Sequence, residues 1–233
     1  MTLAVPLSGT VFLLDVDNTL LDNDQVIADL SAHLKREFGA ECRDRYWELF
    51  EQLRRELGYS DYLGALQRYR VGDQGDTRLL QMSSFLVDYA FAQRLYPGAL
   101  EVLEHLRAFG HTVILSDGDV VFQPRKVQRS GLWAAVEGRV LIYIHKEEML
   151  DAVATRFPAR HYVMVDDKLR ILSAVKAHWK NRVTTVFVRQ GHYAIDPEII
   201  RAYPPADITI DRIGDLALHV ESQWIERDLW DRQ

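Results

Sequence analysis

The sequence predicts an α/β protein with a Rossmann-like, three-layer core, a mainly parallel sheet and an inserted all-helical cap. Two observations predict the core: short apolar runs rich in β-branched residues recur along the chain, and helical patterns separate most of them. A third observation predicts the cap, because the stretch from Asp22 to Leu95 contains amphipathic helical patterns and no convincing strand.

The predicted strands are nearly continuously apolar, as expected of strands that are covered on both faces. They are Thr10–Val16, Thr112–Leu115, Val140–Ile144, Tyr162–Val165, Val183–Val188 and Ile208–Ile210. Helical patterns between them cover Leu100–Phe109, a segment from Val120 to Gly131, Glu148–Phe157 and Lys168–Trp179. Strand–helix–strand alternation implies parallel strands joined by right-handed crossovers.

The inserted stretch contains helical spacing in four segments, punctuated by glycines. These segments are Val26–Phe38, Tyr46–Leu57, Tyr62–Tyr69 and Leu79–Phe91. We therefore predict a core formed by residues 1–21 and 93–233 and a helical cap formed by residues 22–92. The C-terminal segment from Asp215 to Gln233 is also helical in pattern, and we expect it to pack on the core.

Composition excludes some classes of function. The chain has 48% hydrophobic and 27% charged residues and a formal net charge of −6. A general nucleic-acid binder would need a basic face, which this balance does not favour. Cys42 is the only cysteine, so the chain has neither an internal disulfide nor a cysteine-based metal cluster. With no signal-peptide pattern and no long apolar span, we expect a cytoplasmic protein without membrane contact.

Polar side chains end or directly follow the first four predicted strands. In chain order they are Asp15 and Asp17, Ser116 and Asp117, His145 and Lys146, and Asp166 and Asp167. Ligands of an open parallel sheet bind at the carboxyl ends of its strands, so we expect these side chains to converge there. Two carboxylates two residues apart on an extended chain point the same way and repel each other unless a cation or a shared proton intervenes. This pattern indicates chemistry with a divalent metal and a phosphate.

These motifs resemble those of the haloacid dehalogenase (HAD) superfamily, on its phosphatase side. The first motif is Asp15-Val16-Asp17-Asn18-Thr19, and the later ones are Ser116, Lys146 and Asp166-Asp167. The resemblance covers nearly the whole chain and implies a helical cap of the type inserted after the first strand. It also implies phosphate binding by Thr19, Ser116, Asp117 and Lys146.

The resemblance assigns catalysis to the first motif. Asp15 would attack phosphorus to give an aspartyl-phosphate, and Asp17 would protonate the leaving alkoxide and later deprotonate the attacking water. The implied cofactor is Mg²⁺, which prefers hard oxygen ligands. Its expected ligands are Asp15, the backbone carbonyl of Asp17, and Asp166 assisted by Asp167.

Several of these residues have alternative interpretations. Asp15 and Asp17 can be turn or capping residues, and Asp167 can cap the helix that begins at Lys168. Asp117 and Asp119 suit capping of the helix near Val120, and the family commonly has Asn at position 117. Lys126 is an alternative candidate for the phosphate-binding lysine. We favour Lys146 because it directly follows a strand. The family often has Lys-Pro at this point, where this chain has Lys146-Glu147.

The cap contains basic and tyrosine side chains that can reach an anionic substrate or form a solvated helix face. They are Arg54, Arg55, Arg68, Arg70, Arg78, Tyr59, Tyr62 and Tyr69. The second interpretation is the more common one for such residues, so we assign none of them to the site.

The leading hypothesis is a Mg²⁺-dependent phosphatase that acts on a small phosphorylated metabolite. A phosphomutase or phosphotransferase is the first alternative. A 2-haloacid dehalogenase is less favoured, because that reaction needs no acid at the position of Asp17. A non-catalytic binding module is also disfavoured, because idle buried carboxylates are costly to keep. The substrate and the oligomeric state stay open.

Overall fold

The computed structural model describes residues 8–72, 75 and 77–219, and these contain a six-stranded sheet. The strands are β1 (Ser8–Leu14), β2 (His111–Asp117), β3 (Val140–Tyr143), β4 (Ala159–Asp166), β5 (Val183–Val188) and β6 (Ile208–Ile210). Their order is β3-β2-β1-β4-β5-β6, and every neighbouring pair is parallel. The chain therefore reverses its direction of winding beside β1, which places β1 at the centre of the sheet.

The helices fall into two groups. Those between β1 and β2 are α1 (Asn23–Phe38), α2 (Ala40–Leu57), α3 (Tyr62–Gly72), α4 (Leu79–Asp88) and α5 (Ala99–Leu106). Those that follow are α6 (Phe122–Arg129), α7 (Leu132–Ala135), α8 (Leu150–Arg156), α9 (Leu169–Trp179), α10 (Gly191–Ile195) and α11 (Pro197–Arg201). Residues 216–219 are helical as well, and the remainder of the predicted helix from Asp215 to Gln233 lies outside the described residues.

Each face of the sheet carries its own apolar layer, because side chains alternate along a strand. Phe12 and Leu14 of β1 belong to one buried cluster, which includes residues of α5, α6 and α7. Val11 and Leu13 belong to a second cluster on the opposite face, with residues of α8 and α9. This arrangement confirms the predicted three-layer α/β core.

Helices α1–α4 form the helical cap, and they lie between β1 and β2 as predicted. The chain enters and leaves this cap side by side: Leu21 forms an antiparallel bridge with Leu95, and the Asp22 N–H donates to the Arg94 carbonyl over 2.7 Å. At the entry, Asn18 has a φ of 61°, and its Oδ1 accepts from the backbone N–H groups of Asn23 and Asp24 at the start of α1. The domain limits at residues 21/22 and 92/93 stay a prediction.

The main departure from the predicted elements is at the end of β1. The strand ends at Leu14 rather than Val16, because Val16 begins a tight turn in which its carbonyl accepts from the N–H groups of Leu20 and Leu21. The alternation of an extended strand therefore does not decide where Asp17 points. Within the described residues, no helix combines the length and the apolar character needed to cross a membrane.

Gly110 provides a test of how closely β1 and the start of β2 must approach. A Cβ at this position would lie 2.2 Å from the Thr10 carbonyl oxygen, a backbone atom that cannot move away alone. We expect Gly110→Ala to lower the free energy of unfolding by about 1–3 kcal/mol, measured by urea denaturation. The matched control is Gly9→Ala in β1, where a Cβ meets nothing within 4 Å; equal losses in both variants would contradict the steric explanation.

Candidate active site

A buried lysine joins the ends of two central strands. The Lys146 ammonium lies 2.5 Å from Asp15 Oδ1, beyond β1, and 2.7 Å from Asp166 Oδ2, at the end of β4. It also donates to the Leu115 carbonyl of β2 over 3.3 Å. Lys146 therefore contacts both predicted acid clusters, whereas the alternative candidate Lys126 forms no ion pair with Asp15 or Asp166 in the described part of the chain.

Three buried carboxylates form a group that suits a metal ion. Asp15, Asp166 and Asp167 each offer an oxygen, and these oxygens lie within 4.8 Å of one another. Asp15 Oδ2 and both oxygens of Asp167 are buried without a hydrogen-bond partner in the described part of the chain. Unpartnered buried oxygens are costly, and hard carboxylate oxygens are what Mg²⁺ prefers, so the donor set fits this cation. The Asp17 side chain is outside the group; the ligand predicted there is its backbone carbonyl.

The electrostatics of this group reflect burial. Burial raises the pKa of Asp166, with repulsion from Asp15 adding to the effect and Lys146 opposing it. Burial likewise holds the pKa of Asp167 well above its usual value, against the attraction of Lys168. For Lys146, burial alone would lower the pKa, but Asp15, Asp166 and Asp117 together raise it. The Lys146 ammonium thus stays charged, but it does not fully offset the cost of burying the negative charge of its carboxylate partners.

The site as a whole carries an excess of negative charge. Its carboxylates are Asp15, Asp17, Asp117, Asp166 and Asp167, and its ammonium groups are Lys126, Lys146 and Lys168. At full ionisation five negative charges face three positive ones, so two remain uncompensated. A divalent cation would balance them.

The Asp17 carboxylate pairs with a different lysine, Lys126. Its Oδ1 lies 2.6 Å from the Lys126 ammonium of α6, and the same ammonium lies 2.9 Å from Asn23 Oδ1 at the start of α1. Asp17 is the only one of these three residues with appreciable exposure, 26% of its side chain, and it lines a cavity on the cap side of the strand ends. Asp15 and Asp17 are therefore neutralised by different cations and differ in their access to solvent.

Ser116 and Asp117 lie at the end of β2, next to the segment after β3 that carries Lys146. Ser116 Oγ accepts from Gln123 Nε2 of α6 over 3.0 Å and is buried. Asp117 Oδ1 accepts from the Lys146 N–H over 2.7 Å, and burial raises the pKa of this carboxyl to about 6. The expectation that Asp117 caps the following helix is thus wrong, since its carboxylate orients the Lys146 backbone instead. Asp119 does cap α6, because its Oδ1 accepts from the N–H groups of Val121 and Phe122.

Thr19 lies in the turn after β1. Its side chain is fully buried, and its hydroxyl has no hydrogen-bond partner among residues 8–72, 75 and 77–219. The Thr19 carbonyl accepts from Gln190 Nε2, which ties the turn to the segment after β5. Its role in phosphate binding stays a prediction.

A cavity of about 810 Å³ opens between the helical cap and the strand ends. Asp17, Asp117 and Lys168 line its core side, and Arg54 and Tyr62 line its cap side. Arg54 pairs with Glu51 over 2.8 Å, so its charge is partly compensated within the cap. The strand ends thus hold a nucleophile candidate, an acid–base candidate and cation ligands below a cavity large enough for a small organic molecule.

Sequence reasoning missed three residues that contact the site: Gln123, Asn23 and Lys168. Gln123 and Lys126 are three residues apart on α6 and therefore share the helix face that meets the strand ends. In the sequence, a Gln and a Lys three residues apart on an otherwise apolar helix face were the signal that could have identified Gln123 as a residue of the site. Lys168 follows the second acid cluster directly, and its ammonium lies 5.1 Å from the centre of the Tyr193 ring.

Comparisons with known proteins identify the family to which this chain is similar. The family model described as a hydrolase, haloacid dehalogenase-like hydrolase, matches residues 10–178. A comparison with curated proteins gives no significant match. The chain is similar to the crystal structure of a haloacid dehalogenase-like hydrolase from Burkholderia xenovorans LB400, with 70% identity and a TM-score of 0.86 over 91% of this chain and 98% of that one.

More distant structures share the fold. The L-2-haloacid dehalogenase of Xanthobacter autotrophicus is 18% identical with a TM-score of 0.61, over 91% of this chain and 98% of that one. The HAD-hydrolase YfnB of Bacillus subtilis, bound to magnesium, is 15% identical with a TM-score of 0.60, over 92% of this chain and 99% of that one. The resemblance inferred from the strand-end motifs is confirmed: this chain belongs to the haloacid dehalogenase-like hydrolases.

Proposed function

We propose that this hydrolase is a Mg²⁺-dependent phosphatase that cleaves a small phosphomonoester through an aspartyl-phosphate. The observation that carries the proposal is the buried group of Asp15, Asp166 and Asp167, whose unpartnered oxygens and excess negative charge fit a divalent cation. The magnesium-bound structure of YfnB, a protein of the same fold, is consistent with this choice of ion. When bound, Mg²⁺ would neutralise the phosphoryl oxygens and so reduce their repulsion of the nucleophile.

In the first step, an Asp15 oxygen forms a bond to phosphorus as the bond from phosphorus to the ester oxygen breaks. The Lys146 ammonium, 2.5 Å from Asp15 Oδ1, fixes this carboxylate and adds positive charge beside the phosphoryl group. The Ser116 hydroxyl lies at the neighbouring strand end and supplies a hydrogen bond to a phosphoryl oxygen. Asp17, at the edge of the cavity, gives its proton to the departing alkoxide.

In the second step, water attacks the aspartyl-phosphate and the Asp15–phosphorus bond breaks, releasing inorganic phosphate. Asp17 takes the proton of that water, so the residue returns to the state in which it can act as an acid again. The helical cap covers the cavity from above, which limits access of bulk water to the intermediate. The same residues can transfer the phosphoryl group to another hydroxyl, and that alternative differs only in the acceptor.

A 2-haloacid dehalogenase is the alternative to consider, because an L-2-haloacid dehalogenase shares the fold. At 18% identity, this similarity shows a shared fold and nothing about the reaction. A halide leaves without a proton, so dehalogenation has no use for an acid such as Asp17, whose side chain faces the cavity. The placement of Asp17 therefore favours a leaving group that must be protonated.

The metal requirement is the first test. We expect hydrolysis of p-nitrophenyl phosphate to need Mg²⁺, to vanish when a chelator is added and to return when Mg²⁺ is restored, because Asp15 Oδ2 and both Asp167 oxygens are buried without a partner in the described residues and suit a cation. Release of p-nitrophenol reports the rate, and far-UV circular dichroism in chelator checks that the fold persists. Undiminished turnover in chelator would rule out the metal-dependent mechanism.

The nucleophile is the second test. Asp15→Asn keeps the shape of the side chain but removes the nucleophilic charge, so we expect kcat to fall by a factor on the order of 10⁴ or more. The control is Asp151→Asn, at a side chain that is 92% exposed and pairs with His178, a residue outside the candidate site; this variant should keep wild-type rates. If Asp15→Asn retains the wild-type rate, Asp15 is not the nucleophile.

The reaction class is the third test. We expect no halide release from 2-chloropropionate under conditions in which the wild-type protein hydrolyses phosphomonoesters. A halide-selective electrode measures the first reaction and a phosphate assay the second. Robust halide release without phosphatase activity would overturn the assignment in favour of the dehalogenase.

A further inference from the structure

Lys126 is a fully buried cation with no part in the predicted motifs. It lies on α6, the helix that follows the β2 end of the site, and its side chain has 0% exposure. Its ammonium has two oxygen partners, Asp17 Oδ1 at 2.6 Å and Asn23 Oδ1 at 2.9 Å, and lies 5.5 Å from the centre of the Phe122 ring. A buried charge is costly unless it is paired, and a single carboxylate and an amide provide the pairing here.

The contact with Lys126 fixes one side of the Asp17 carboxylate. Oδ1 is held by a charge-assisted hydrogen bond, which is among the stronger and more directional contacts in proteins. The Asp17 side chain has no other hydrogen bond or ion pair in the described residues, and Asp17 lines the cavity. Without the ammonium, Asp17 would lose the contact that favours this rotamer over the other staggered ones.

Asn23 connects the same ammonium to the helical cap. It is the first residue of α1, where the chain passes from the core into the cap, and its Nδ2 lies 3.5 Å from the Tyr62 hydroxyl of α3. Tyr62 lines the cavity, and its ring packs on Phe122 of α6 with centroids 5.0 Å apart. Lys126 therefore lies between the acid–base candidate and a cap residue that covers the substrate cavity.

We propose that Lys126 is a positioning residue, which holds Asp17 in the orientation needed to take a proton from the attacking water. This inference rests on the proposed phosphatase function. In that step the water oxygen bonds to phosphorus, the Asp15–phosphorus bond breaks and the water proton passes to Asp17. Lys126 touches none of the reacting atoms; it acts through Asp17 alone.

The two steps of the reaction separate this role from a purely structural one. The p-nitrophenolate leaving group departs without a proton, so formation of the aspartyl-phosphate from p-nitrophenyl phosphate should be nearly independent of Asp17. Hydrolysis of the aspartyl-phosphate needs Asp17 whatever the substrate. In Lys126→Met we expect a burst of p-nitrophenol at close to the wild-type rate, followed by steady turnover slowed about 10- to 100-fold.

The phosphorylated protein should therefore accumulate in Lys126→Met, seen by acid quench and intact-mass spectrometry in the presence of Mg²⁺. The matched control is Arg129→Met, which removes a cation from the same helix outside the site and should behave as wild type. Wild-type turnover in Lys126→Met, or equal slowing of both steps without a burst, would overturn the proposal.

A second variant covers the case in which Lys126→Met fails to fold, as judged by circular dichroism. Asn23→Asp places a competing carboxylate beside the ammonium, and we expect the same accumulation to a smaller extent. An unchanged balance of the two steps would then count against the positioning role. If the wild-type protein neither turns over p-nitrophenyl phosphate nor becomes phosphorylated, the proposed function itself has failed; if only the variants match wild type, the role of Lys126 alone has failed.

Discussion

The contact of the Lys146 ammonium with Asp15 and Asp166 is the interaction on which the site depends. Parallel strands bring their carboxyl ends to one edge, and in this chain β1 and β4 are each followed or ended by aspartates. One buried cation, 2.5 Å from Asp15 and 2.7 Å from Asp166, allows these side chains to lie together. Removing either partner would leave an uncompensated buried charge, which is a large penalty. The same cation leaves the cluster still negative, and this residual charge favours binding of a metal.

Much of the fold could be predicted from local pattern. The limits of β5 and β6 match the predicted runs, because both are compact apolar segments bounded by polar residues. The end of β1 could not be placed from apolar character, since Val16 is fully buried although it lies beyond the strand. The sheet order was also beyond the sequence pattern, because it depends on which non-local faces pack together, not on any single segment.

Part of the candidate site could likewise be predicted from the sequence, and part could not. The strand-end acids could be found because their spacing follows from the chain itself. The choice between Lys146 and Lys126 was harder, because both lysines end up buried against an aspartate of the first motif, one against Asp15 and the other against Asp17. Which aspartate each one meets depends on how α6 and the loop after β3 pack on the sheet. The contribution of Asn23 follows from the path of the chain into the cap, which local pattern does not contain.

The cap and one face of the core share a single apolar cluster, which runs from Phe12 and Leu14 of the sheet through Phe91 and Phe122 to Tyr62 and Leu30 of the cap. Grafting this cap onto another member of the superfamily would therefore transfer only half of a packed interface. The recipient core would need an aromatic residue equivalent to Phe122 of α6, or the graft would expose an apolar patch of the kind that promotes aggregation. Exchange of caps between such enzymes is thus constrained by packing as well as by substrate preference.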